Sequence, residues 1–189
     1  LTGQDFYLLP NNYSKDLQLA ESLLNDGDFY ESLEILNKVI AYQPNNILAI
    51  HKRGKCYISL KEYEKANNDF KNILKLDSTY KEAIYNIAYI NEKQSKYLIA
   101  EEFYLKAINV EESKYQPDKI FIYDTYLKLA DLYIFKNISN KNDALIIIDE
   151  LINKSPLKPE AYYSKAWYYY GTGLGSNQSL KKALVNINL

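Results

Sequence analysis

The stretch ILAIHKRGKCYISLKEYEKANNDFKNILKLDSTY, residues 47–80, decides how this chain folds. Its apolar and small residues recur at helical intervals. Ile50, Gly54 and Tyr57 stand at i, i+4 and i+7, and Ala66, Phe70 and Ile73 repeat the spacing further on. That period lines one face of a helix, whereas a strand needs strict alternation, which no part of the chain has. The stretch therefore reads as two helices, over about 47–60 and 63–76.

The same arrangement returns on either side. Ala20, Gly54 and Ala88 lie 34 residues apart, as do Phe29, Tyr63 and Tyr97. Ser32, Ala66 and Ala100 keep that interval, and so do Leu36, Phe70 and Tyr104. Four columns with one period identify a repeat whose unit is a helix pair. The small columns let helix A and helix B approach, and the large rings fill the space toward the next pair. Beyond Ala88 the phase continues with additions: Ala130 follows at one period plus eight, Ala166 at one period plus two. The extra residues fall in Glu111–Ile120, which contains Gln116-Pro117-Asp118, and in Lys136–Asn142. Both read as connections, where added length costs only loop-closure entropy. Ten helices follow, at about 14–26, 29–42, 47–60, 63–76, 80–94, 97–111, 118–136, 141–153, 159–171 and 178–187. The chain divides into a lead segment, 1–12, and an array, 13–189, with units of about 13–46, 47–80, 81–117, 118–157 and 158–189.

These columns resemble the tetratricopeptide repeat, whose pattern is W-x2-L-G-x2-Y, then A-x3-F, then P. Gly54-x2-Tyr57, Leu129-Ala130-x2-Tyr133 and Ala166-x2-Tyr169 match its first helix. Ala66-x3-Phe70 and Ala100-x3-Tyr104 match its second, and Pro44 and Pro156 stand at closing positions. The chain departs from the pattern at Asp16, Ser78, Asn91 and Glu112. The resemblance implies an all-α, right-handed α-solenoid of about five helix pairs, stabilised by stacking of neighbours.

Composition excludes several classes. The chain has 189 residues, with 23 Lys and Arg against 24 Asp and Glu, one His and one Cys. A net charge of −1 offers no footprint for nucleic acid or an anionic membrane. One Cys rules out an intrachain disulfide, and one Cys with one His cannot form a zinc site, so neither metal nor cofactor is expected. No apolar run reaches the roughly 18 residues of a membrane span, and no signal peptide is seen. Lacking an initiator Met, the chain is expected to be a processed or excised piece, with its compartment left open. His51 and Cys56 lie five apart on one helix and point apart, so they form no nucleophile–base pair. Gly171–Ser176 contains G-x-G-x-G, but it follows a helix and lacks the phosphate-loop Lys. No catalytic residue is assigned.

In this repeat family helix A lines the concave surface, and the resemblance implies that ligands lie there. The stripe one residue after the small column is expected to face that groove. It contains Leu17, Glu21 and Leu24, then His51, Lys55 and Ile58, then Tyr85, Tyr89 and Glu92. Leu127, Asp131 and Ile134 follow, and Tyr163, Trp167 and Tyr170 end it. An exposed stripe this rich in rings marks a partner surface. Members of the family that clamp a C-terminal carboxylate use Lys and Asn at groove positions that here hold Leu17, Glu21, His51 and Lys55, so that ligand is not expected. The reading is a non-catalytic scaffold holding a peptide or helix of another protein. The alternative is an assembly module that self-associates through terminal repeats or docks onto domains outside this chain.

Overall fold

The computed structural model describes residues 13–136, 141–154 and 158–172. Helices α1 (Tyr13–Asp26), α2 (Phe29–Tyr42), α3 (Ile47–Ser59), α4 (Tyr63–Leu76) and α5 (Lys81–Lys93) come first. They are followed by α6 (Tyr97–Glu112), α7 (Lys119–Lys136), α8 (Lys141–Lys154) and α9 (Pro159–Thr172). No strand occurs among the described residues. The helix expected at 178–187 and the lead segment 1–12 lie outside them, as does most of the glycine-rich stretch 171–176. The described chain falls into two compact units, 13–86 and 87–172, divided inside α5. None of these helices is long and apolar enough to cross a membrane.

The A-to-B turns show how the period is written into the backbone. Asp28, Glu62 and Lys96 each donate a backbone N–H to the carbonyl five residues back, on Leu23, Tyr57 and Asn91, at 2.8 Å. The residue between them takes a left-handed conformation at φ 91° in Gly27, 60° in Lys61 and 59° in Ser95. This is the Schellman ending of a helix, repeated every 34 residues. Only the first of the three is glycine.

Packing follows the small columns. Ala20, Gly54, Ala88, Ala130 and Ala166 are buried, as are Ser32, Ala66 and Ala100. At Gly54 the contact is closest: a Cβ built there would lie 2.7 Å from Cζ of Phe70. The Phe70 ring therefore packs on helix A of its own pair. Ser32 replaces an alanine without loss, because its buried hydroxyl donates to the Ala20 carbonyl at 2.7 Å and accepts from the Cys56 thiol. Asn91, in place of the family's Tyr, donates to the Ile87 carbonyl at 2.8 Å.

The departures from the closing proline are handled by side-chain turns. At Ser78 the turn is held by Asp77, whose carboxylate accepts from the Thr79 N–H at 2.9 Å and hydroxyl at 2.7 Å. At Glu112 the chain extends into the connection 113–118, which buried Glu111 ties back by accepting from Lys114 Nζ and Asp118 N–H, both at 2.7 Å. Asp118 then accepts from the first N–H groups of α7, on Ile120 and Phe121. A cleft of about 430 Å³ opens beside this connection, walled by Pro117, Ile122, Tyr126, Ile147 and Leu151.

Candidate interaction surface

Helix A of each pair carries the expected stripe, and its residues meet different fates. Leu24 is buried, and Leu17 packs half-buried against the Ala20–Leu36 core. Leu127 is likewise drawn onto the core around Tyr123 and Leu151. These aliphatic positions lie on the flank of the amphipathic face, where burial beats exposure. Ile58, Tyr85, Tyr89 and Ile134 are half-buried, and Lys93 Nζ lies 4.9 Å from the Tyr89 ring centroid. Glu21, Lys55, Tyr163, Trp167 and Tyr170 are exposed.

In the first unit the polar members are tied inward. Glu21 pairs with the nearly buried ammonium of Lys52 at 2.9 Å, which holds its carboxyl below the usual range. His51 stands between the rings of Phe70 and Tyr80, at centroid distances of 5.8 and 5.7 Å. The Asn86 amide donates to its Nε2 at 3.3 Å, which leaves the proton on Nδ1. Burial, then the charges of Lys55 and Lys52, depress its pKa to about 4. His51 is thus a neutral, half-buried residue packed against two rings. Next to it lies a network that the repeat pattern does not encode. Arg53, the one Arg of the chain, donates twice to Asp69, at 2.9 and 2.7 Å, and once to Asn37 at 2.9 Å, joining α2, α3 and α4.

The second unit presents its helix-A side chains differently. Asp131 is half-buried and accepts from the Ser164 hydroxyl at 3.1 Å. Burial raises its pKa, Ser164 and Lys128 oppose the rise, and the Glu92 charge adds to it. Glu92 accepts from the buried Tyr104 hydroxyl at 2.7 Å. One turn beyond Asp131, the Phe135 and Trp167 rings meet edge to face at 5.9 Å, and Trp167 meets Tyr170 at 5.6 Å and 90°. Phe135 and Trp167 are each 52% exposed and Tyr170 69%. Phe135 is absent from the sequence stripe, which ran to Ile134. Its spacing of four from Asp131 was the available signal. Among the described residues no three His, Cys, Asp or Glu side chains gather as a metal site.

Comparison with known proteins agrees with this architecture. Family models described as tetratricopeptide repeat match residues 16–46, 48–80 and 81–114, together just over half of the chain. The curated protein named peptidyl-prolyl cis-trans isomerase PASTICCINO1, from Arabidopsis thaliana, is 36% identical over 63 residues, 33% of this chain and 10% of that protein. FK506-binding protein 59 from Drosophila melanogaster is 29% identical over 94 residues, 47% of this chain and 21% of that one. The chain thus spans a tenth to a fifth of the length of these relatives. Among solved structures, MamA superposes with a TM-score of 0.70 at 25% identity, covering 88% of this chain and 93% of its own. A Podosopora anserina putative kinesin light chain with TPR-like repeats gives 0.76 at 13% identity, covering 96% and 95%. With its columns, its repeated turns and these matches, the chain belongs to the tetratricopeptide repeat family, an all-α helical-repeat solenoid that serves as a protein–protein interaction scaffold.

Proposed function

We propose that the chain is a non-catalytic scaffold that holds a peptide or helix of a partner protein on the helix-A face of its second unit. The observation that carries this reading is the contact of Trp167 with both Phe135 and Tyr170, three rings that all stay exposed. Large rigid rings gain contact area at little cost in side-chain freedom, which is why they anchor interfaces. Tyr163, 49% exposed and one turn before Trp167, extends the patch. Asp131, one turn before Phe135 on α7, orients the ligand with Tyr89 and Glu92, whereas Lys55 and Glu21 belong to the first unit's surface.

Retention of partners by immobilised wild type and by Trp167→Ala tests the reading. The variant should lose its partners by about 1–3 kcal/mol of binding while keeping its helicity. Unchanged retention would remove the patch from consideration. A shift of elution volume on dilution, abolished by the same substitution, would mean instead that the patch joins copies of this chain.

A further inference from the structure

One helix A departs from the register of the others. In α1, α3, α5 and α9 the helix starts seven residues before its small-column residue, at Tyr13, Ile47, Lys81 and Pro159. Helix α7 starts at Lys119, eleven residues before Ala130, so Lys119–Ile122 is an added turn. That turn and the connection 113–118 form the 430 Å³ cleft together with the last two turns of α8. Its volume falls in the range of about 300–1,000 Å³ that small-molecule sites occupy, and its lining is mostly apolar. The charged side chains of the lining are exposed and cancel. Glu112 and Glu150 stand against Lys119 and Lys154, and Glu150 already holds Lys154 at 2.5 Å. Two hydroxyls on α7 keep a proton to give. That of half-buried Tyr126 reaches Glu112 only at 3.5 Å, the outer limit of a hydrogen bond. Tyr123 also lines the cleft, and no group accepts the proton of its buried hydroxyl. Burial first, and then neighbouring carboxylates, raise the pKa of both phenols, so each stays protonated at neutral pH.

We propose that this cleft binds an uncharged, mainly apolar ring compound that carries one oxygen acceptor, with its rings between Ile122, Ile147 and Leu151 and its oxygen taking a hydrogen bond from Tyr126. The site is independent of the ring patch around Trp167 and of any partner protein there. An uncharged ligand fits because two acids and two bases line the cleft, so a charge of either sign meets as much repulsion as attraction. A rigid ring system suits the cleft better than a flexible chain, since it loses less freedom on binding. The oxygen matters because a pure hydrocarbon would fill the volume and leave the hydroxyl of Tyr126 without a better acceptor than Glu112. The pairs that keep the 34-residue period have no added turn to build such a cleft, and inserted segments in repeat arrays often carry a binding face.

Benzophenone is the probe, because it is uncharged, has two rings and one carbonyl, and attaches to nearby C–H groups when irradiated. Photolabelling of the full chain should saturate, and mass spectrometry should place the label within residues 117–126 or 147–154. Ile147→Trp, which fills the cleft, should abolish that label with helicity unchanged. Ligand-detected NMR titrations then compare benzophenone with diphenylmethane, which has the same shape and a methylene in place of the carbonyl. Diphenylmethane should bind wild type about threefold to tenfold more weakly, the worth of one hydrogen bond. The two should bind Tyr126→Phe alike, and this variant keeps the ring, so the outcome does not hang on Ile147→Trp folding. The anion 4-benzoylbenzoate should bind wild type more weakly than benzophenone. Label that never saturates, or that gathers on Trp167 and Tyr170 instead, would overturn the site. A carbonyl preference that survives Tyr126→Phe, or tighter binding of the anion, would overturn the chemistry assigned to it.

Discussion

The two units treat the polar groups of helix A in opposite ways. In residues 13–86, Glu21 has Lys52, Arg53 has Asp69 and Asn37, and His51 is enclosed by two rings and an amide. In residues 87–172, Asp131 and Glu92 accept only hydroxyls, and three touching rings face solvent. The unit that keeps the 34-residue period without interruption pairs the charged groups of its helices A, although Asn67 Oδ1 is buried there without a hydrogen-bond partner. The unit with added residues in its connections leaves charge and apolar area for something else. The contrast is what the proposed partner surface of the second unit rests on.

Arginine 53 should show the largest effect. Arg53→Ala leaves a nearly buried Asp69 without its fork and should cost about 3–4 kcal/mol in denaturant unfolding. In the second unit Lys165, like Arg53 one residue before the small column, pairs with Asp149 sixteen residues earlier, and that bridge is more exposed. Lys165→Ala should therefore cost about 1 kcal/mol or less. Equal losses would erase the contrast.

Acid should act next, through His51. Its folded pKa of about 4 lies below the ordinary 6.5, so between those values the unfolded chain binds a proton that the folded chain refuses. The contribution of His51 is whole above about pH 6.5 and is lost as pH falls toward 4, roughly 3 kcal/mol in all. Unfolding curves of wild type and His51→Gln between these limits check this. The wild-type slope should be steeper, and parallel curves would mean that the ring is not enclosed.

Overpacking follows. Gly54→Leu forces atoms into the Phe70 ring and should cost about 2–3 kcal/mol, read as a lowered melting midpoint. Ala166→Leu, at an 8% exposed site in the second unit, should cost less.

The smallest effects on stability should come from the proposed partner surface. Trp167→Ala and Asp131→Asn should each change stability by about 0.5 kcal/mol or less, because exposed and partly solvated groups contribute little to folding. Asp131→Asn should if anything raise the midpoint, since burial disfavours its charged form. A large loss from either would place these residues with the packing residues of the first unit.

Most of the fold could be read from residue spacing. The columns at Ala20, Gly54 and Ala88 fixed the phase, and the breakers between them bounded α1 to α9 to within a residue or two. Those signals are periodic, so they sum over units. The surface was less legible because it depends on single departures. Whether Leu17 or Leu127 faces solvent turns on a small rotation of an amphipathic stripe, which spacing alone does not resolve. Phe135 lies one residue from the stripe as drawn through Ile134, for the same reason. The Arg53–Asp69 fork links residues sixteen apart on different helices, a distance that no local pattern marks. The difference between Lys52 and Ser164 becomes informative only once the acids that they meet are known.

The left-handed turn residues carry one more consequence, which concerns chirality. Gly27, Lys61 and Ser95 are exposed and stand at φ near or above 60°, where an L residue is strained by about 1 kcal/mol and its mirror image is at ease. Hairpin closure sets that angle at Lys61, whose side chain is exposed, and at Ser95 the hydroxyl also accepts from the Tyr97 hydroxyl at 3.1 Å. At residues 27, 61 and 95, then, the array contains a position whose backbone prefers the opposite hand. A D-amino acid placed at 61 or 95 by chemical ligation should be accepted without moving either helix and should tighten the turn, whereas the same inversion at Gln94 or Glu62, on either side, should break it.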